Sequence, residues 1–167
     1  MSQPLMIGER GALLSSLTDQ REHVLGILDG LSDEDLRRPV LPSGWTCLGL
    51  VRHLTIDVER FWFRDIAAGQ AVEPRESDAA VWQVDPDMPA EDVLGSYRRE
   101  IELANAVIVA TPLDTAPARW PDEWPDWRFS DLREIILHVI TETACHAGHL
   151  DAVRELIDGR TWLVLTE

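Results

Sequence analysis

The run from Glu142 to His149 carries a carboxylate and two imidazoles at helical spacing. At about 100° per residue, Glu142 and His146 lie one turn apart on the same helical face, and His149 lies on that face as well. His138 lies one turn earlier on that face. A carboxylate and an imidazole one turn apart can both reach a single cation, which is why metal sites in helical bundles use this spacing. The run therefore predicts half of a metal site.

The other half should come from a facing helix, and His53 lies in the predicted helix Thr46–Ala68, beside its apolar stripe. Two histidines and one carboxylate from facing helices would leave coordination positions open for water or substrate, as catalytic zinc sites do. Spacing alone does not separate Glu142 from His149 as the third ligand beside His146. Both alternatives stay open on the residues themselves.

Two further polar residues flank these candidates. His138 lies a turn farther from the predicted metal, so we expect it to be a core residue or a hydrogen-bonding residue behind the ligands. Asp57 follows His53 by one turn. It is either the acceptor of a hydrogen bond from His53 or a solvated surface acid.

Apolar residues at helical spacing predict four long helices that would position these side chains. Thr46 and Ser130 are the predicted N-caps of the second and fourth helices. Long connections follow the second and third helices. We therefore predict an all-α fold, a four-helix bundle formed by one domain over residues 1–167. The predicted helices are 9–31, 46–68, 90–111 and 130–158.

The connection before the last helix is rich in tryptophan and proline, from Trp120 to Trp127. Because this loop leads directly into the helix of the predicted metal site, Trp124 and its neighbours are predicted to wall a substrate pocket. The alternative is that these rings cover the core.

Charge and hydropathy exclude several functions. The chain has 15 Lys and Arg against 30 Asp and Glu, a net charge of −15, so a nucleic acid partner is not expected. No apolar run approaches the roughly 20 residues of a membrane span, and no signal peptide is recognised, so we expect a cytoplasmic protein. The apolar tail Trp162–Leu165 predicts a homodimer interface.

Two stretches of the sequence resemble the DinB-like superfamily. Ser43–Leu54, with Glu59–Trp62 following, resembles the second helix of that superfamily, and Leu137–His149 resembles its last helix. The order and separation of the motifs match over nearly the whole chain, closest to an actinobacterial branch of unknown function. Many members have a histidine where this chain has Glu142, and that replacement resembles the N-terminal domain of mycothiol-dependent maleylpyruvate isomerase.

The resemblance implies a fold, a ligand set and an activity. The fold is the DinB/YfiT-like four-helix bundle. The ligands are His53, Glu142 and His146, which would hold zinc or nickel, while His149 lies where relatives often have glutamine and lines the pocket instead. The implied activity is that of a metal-dependent transferase that activates a low-molecular-weight thiol such as mycothiol toward a small electrophile. The alternative is a non-catalytic metal-binding or ligand-binding stress-response protein.

Overall fold

The computed structural model describes residues 8–73, 77 and 79–162, and within these ranges it contains helices and no strand. The prediction of an all-α fold is confirmed. Among the helices of the described residues, none is long and apolar enough to cross a membrane. The helices are α1 (Glu9–Leu28), α2 (Asp33–Arg37), α3 (Cys47–His53), a π-helical segment (Leu54–Ala67), α4 (Ala90–Ala110) and α5 (Leu132–Asp158).

Four long helical rods pack around one apolar core: α1, α3 continued by the π-helical segment, α4, and α5. The main contacts pair α1 with α5 and α4 with the π-helical segment, and α5 also packs on the π-helical segment. The core is built from leucine, isoleucine and valine side chains of all four rods, together with Phe63 and Tyr97. This packing places the last residue of α3 opposite the middle of α5, where the two halves of the predicted site should meet.

The helix ends follow capping chemistry, with one correction. The Thr46 hydroxyl accepts a hydrogen bond from the Gly49 amide at 3.0 Å, so the predicted N-cap of α3 is confirmed. The predicted N-cap Ser130 is wrong, because the carboxylate of Asp131 caps α5 by accepting from the Glu134 amide. The Ser130 amide donates to the Glu134 side chain. The start of α5 is therefore held by two hydrogen bonds, one accepted by Asp131 and one accepted by Glu134.

The second rod changes its winding at the candidate site. The Leu54 amide donates to the carbonyls of both Leu50 and Val51, and from there to Ala67 the helix is π-helical. At its end the Ala68 amide donates to the Phe63 carbonyl, five residues back, at 3.1 Å. A π-helical stretch is wider than an α-helix, and such stretches are frequent at functional sites.

A charged pair lies inside the bundle. Arg21 of α1 donates two hydrogen bonds to Glu59 of the π-helical segment, at 2.7 and 2.6 Å, and a third to the Asn105 side chain of α4 at 2.8 Å. The Arg21 and Glu59 side chains are 2% and 0% exposed. This contact links three of the four rods, and no sequence pattern indicated it.

The described part of the C-terminal tail ends at Trp162, which packs on α1. Its indole ring stacks on His23 at 5.1 Å and fills the space beside Gly26. The remaining residues of the predicted interface, 163–165, lie outside the described residues. The homodimer therefore stays a prediction.

Candidate metal centre

His53 is the last residue of α3, and its ring is fixed from below by Asp57. The Nδ1 atom of His53 lies 3.0 Å from the Asp57 carboxylate, whose side chain is 6% exposed. Of the two roles considered for Asp57, the hydrogen-bond acceptor is the one that the structure shows. A proton held on Nδ1 leaves the Nε2 lone pair free, which is the arrangement typical of histidine ligands of metals.

Trp82, in the connection after the π-helical segment, covers His53 from the side. The two rings stack at 4.5 Å with planes 13° apart. Arg52 holds this connection in place by donating from Nη1 to the carbonyls of Ala80 and Val81, both at 2.9 Å. The close approach also requires Gly49, because a Cβ there would lie 2.5 Å from the Trp82 carbonyl oxygen.

Sequence reasoning missed Trp82. It lies in a long connection without periodicity, where local patterns give no position for a side chain. The one local indication was Gly49, four residues before His53, because a glycine inside a helix often marks the close approach of another backbone.

Glu142 and His146 come from α5 and face His53. The Nε2 atom of His146 lies 3.7 Å from a Glu142 carboxylate oxygen, which is too long for a hydrogen bond. Its other ring nitrogen, Nδ1, is buried and forms no hydrogen bond with any residue that the structure describes. A buried ring nitrogen without a partner is costly. The ring itself lies beside the Glu142 carboxylate and 5.0 Å from the ring of His53.

One ligand atom from each of His53, Glu142 and His146 lies within 4.8 Å of the other two. His149 is not in the group of described residues that meets this distance, so the geometry favours Glu142 where spacing left both open. Two imidazoles and one carboxylate suit zinc or nickel better than magnesium or calcium. The donor set fits a divalent metal with a coordination position left open.

The site keeps its histidine neutral. Burial, together with the charges of His53 and His149, lowers the pKa of His146 to about 4. Only neutral imidazole binds metal. An ordinary histidine ligand would gain a proton and release its metal near pH 6. His146 should stay neutral at that pH, so protonation of His146 should not lower the metal affinity there.

The remaining predicted site residues lie around the three candidate ligands. The His149 ring is 5.6 Å from that of His146 and 6.4 Å from that of Trp45. His138 packs against Trp62 at 4.8 Å, and burial lowers its pKa, partly offset by the charge of Glu142. His138 thus packs against aromatic rings near Glu142 and is not one of the three candidate ligands.

The tryptophan loop lies beyond His138. Trp124 stacks on Trp62 at 6.0 Å and contacts Phe61, with the indole of Trp120 alongside. A cavity of about 530 Å³ lies between this loop and the π-helical segment, lined by Phe61, Trp120 and Trp124 among others. The rings therefore cover the core, and the additional role of Trp124 in a substrate pocket stays a prediction.

A helical bundle that gathers two imidazoles and a carboxylate from its second and last rods is consistent with a DinB-like bundle. The sequence model of one family in the DinB-like superfamily, described as mycothiol-S-transferase, matches residues 12–159. The chain belongs to this family. The match supports the superfamily resemblance but not the branch of unknown function. No curated protein matches the chain.

Proposed function

We propose that this protein is a metal-dependent transferase that joins a low-molecular-weight thiol, such as mycothiol, to a small electrophile. The family match supports the thiol as a substrate. The observation that carries the proposal is the meeting of three ligand atoms within 4.8 Å at a partly open site. A catalytic site needs such an open position, whereas structural zinc sites are closed by four protein ligands.

His53, Glu142 and His146 would hold the metal, zinc or nickel. When bound, the metal lowers the pKa of a thiol that coordinates it, so that the thiolate is available at neutral pH. Asp57 keeps the proton of His53 on Nδ1, and Trp82 restricts its ring to one orientation. The chain thus supplies a preorganised donor set, while burial of His146 keeps the donor deprotonated.

The test is a transfer assay with metal as a variable. Protein stripped with a chelator should lose activity toward mycothiol and a chloro-aromatic acceptor, and added zinc or nickel should restore it. His53→Ala and His146→Ala should abolish both metal content and transfer. His23→Ala should keep both, because His23 pairs with Asp151 on the opposite face of α5 from the candidate ligands. Metal binding without metal-dependent transfer would favour the non-catalytic alternative.

We further propose that two copies of the chain associate through the apolar tail that begins at Trp162. A stable pair should bury on the order of 1,000 Å² or more in total. Sedimentation at high micromolar concentration tests this proposal. A single monomeric species would remove it.

A further inference from the structure

An open cleft of about 520 Å³ lies beside the candidate metal centre. Its walls include the indole rings of Trp45 and Trp82, and its rim includes Arg37, Ser43 and Gln83. Pockets that bind small molecules commonly have volumes of 300–1,000 Å³ and aromatic walls with few polar groups. The size and lining of the cleft therefore suit a small ligand.

Both aromatic walls contact the histidines of the site. The Trp82 ring that lines the cleft is the ring that stacks on His53 at 4.5 Å. Trp45 contacts His149, whose ring is 5.6 Å from that of His146. Trp82 is thus a neighbour of both the cleft and the candidate ligand His53.

The polar groups of the cleft favour a neutral ligand. Arg37 is already engaged, because it binds the Asp33 carboxylate at 2.7 Å and the carbonyls of Asp85 and Met88. The Ser43 hydroxyl and the side-chain amide of Gln83 form no hydrogen bond within the described part of the chain. The cleft therefore offers electron-rich indole faces and neutral hydrogen-bonding groups.

We infer that this cleft binds the electrophile, and that the electrophile is a neutral, planar, electron-poor aromatic compound. The inference rests on the proposed function. An electron-poor ring stacks favourably on an electron-rich indole, and its neutral polar substituents can bond to Ser43 and Gln83. With a haloarene, a bond forms between the thiolate sulfur and the ring carbon. The carbon–halogen bond breaks, halide leaves with the electron pair, and the thiol proton passes to solvent.

Binding can be tested without chemistry. The probe is 1,3-dinitrobenzene, which is neutral and planar and has no halide to lose, added to chelator-treated protein without thiol. We expect the indole N–H signals of Trp45 and Trp82 to shift in NMR spectra assigned through single Trp→Phe variants. Shifts confined to Trp120 and Trp124 would place the ligand in the cavity of the tryptophan loop and overturn the inference, as would the absence of binding.

Variants give the second measurement. Trp45→Phe and Trp82→Phe keep an aromatic ring, so the fold should survive, but the smaller faces should weaken dinitrobenzene binding by about 3- to 10-fold. Trp162→Phe is the matched control and should not change binding, because this ring stacks on His23 and does not line the cleft. Equal weakening in all three variants would refute a site between Trp45 and Trp82.

The last measurement separates this inference from the proposed function. With 1-chloro-2,4-dinitrobenzene and thiol, Trp45→Phe should raise the KM for the arene and leave the KM for the thiol unchanged. Binding in the cleft without any transfer would support the cleft and refute the transferase. Transfer with an unchanged arene KM in both cleft variants would support the transferase and overturn the cleft.

Discussion

Replacing Asp57 by asparagine should weaken metal binding without touching a ligand. The carboxylate accepts the Nδ1–H of His53 at 3.0 Å and is almost fully buried, with its side chain 6% exposed. Its charge is therefore poorly screened by water and favours a cation bound to the His53 ring. Asparagine keeps the shape and an accepting oxygen, so this variant removes the charge alone.

The size of the effect follows from what each variant removes. Loss of a hydrogen-bonding partner behind a metal-binding histidine typically lowers affinity about 10- to 100-fold. Asp57→Asn should lie near the lower end, about tenfold or ~1.4 kcal/mol, because only the charge is lost. Asp57→Ala also frees the His53 ring to rotate and should approach 100-fold, ~2.7 kcal/mol.

The assay is a competition titration of metal-free protein with zinc and a chromophoric chelator at pH 7.5. The chain provides a matched control in Asp151, which pairs with His23 at 2.8 Å away from the site. Asp151→Asn removes the same kind of contact and should leave zinc affinity unchanged. Urea unfolding of each metal-free variant confirms that the fold is kept. Equal zinc affinity in wild type and Asp57→Ala would refute the role assigned to this carboxylate.

Three further outcomes are expected. His146 has a pKa of about 4 in the folded protein, so below about pH 6.5 it binds a proton in the unfolded chain but not in the folded one. The free energy of unfolding of the metal-free protein should therefore be highest above pH 6.5 and lower by about 2 kcal/mol at pH 5. In urea titrations, His146→Gln should make this pH dependence weaker. Gly49→Ala should lower the thermal midpoint because its Cβ would lie 2.5 Å from a backbone oxygen, whereas Gly148→Ala, with open space around it, should stabilise by up to about 1 kcal/mol. Glu59→Gln should cost about 3–5 kcal/mol by leaving a buried guanidinium without its charged partner, while Glu73→Gln, where the side chain is 85% exposed, should cost less than about 1 kcal/mol; similar losses in urea unfolding would contradict this account.

Local chemistry was enough to predict much of the site. Glu142 and His146 are related by one α-helical turn, and that relation holds because α5 is a regular helix around them. The cap at Thr46 fixed where α3 begins, and apolar spacing indicated which side of it His53 occupies. These features depend on residues within one or two turns, which a sequence displays directly.

The features that could not be predicted depend on distant residues. Trp82 contacts His53 although 29 positions separate them in the sequence, and its connection is held by contacts of Arg52 that no spacing encodes. From the sequence alone, Arg21 and Glu59 would be taken for surface charges, because their burial depends on how the helices pack together. The π-helical winding after His53 likewise alters which side chains share a face, so an α-helical wheel misplaces residues beyond it.

The pair formed by Arg21 and Glu59 also constrains how the sequence can diverge. A change at either position alone leaves a full charge without a counterion inside the bundle, whereas replacing both by apolar residues of similar volume is tolerated in other proteins. Descendants of this chain should therefore keep both residues or lose both together. The two positions, 38 residues apart, should therefore change together. Their identities distinguish lineages that keep this buried ion pair from lineages whose core lacks it.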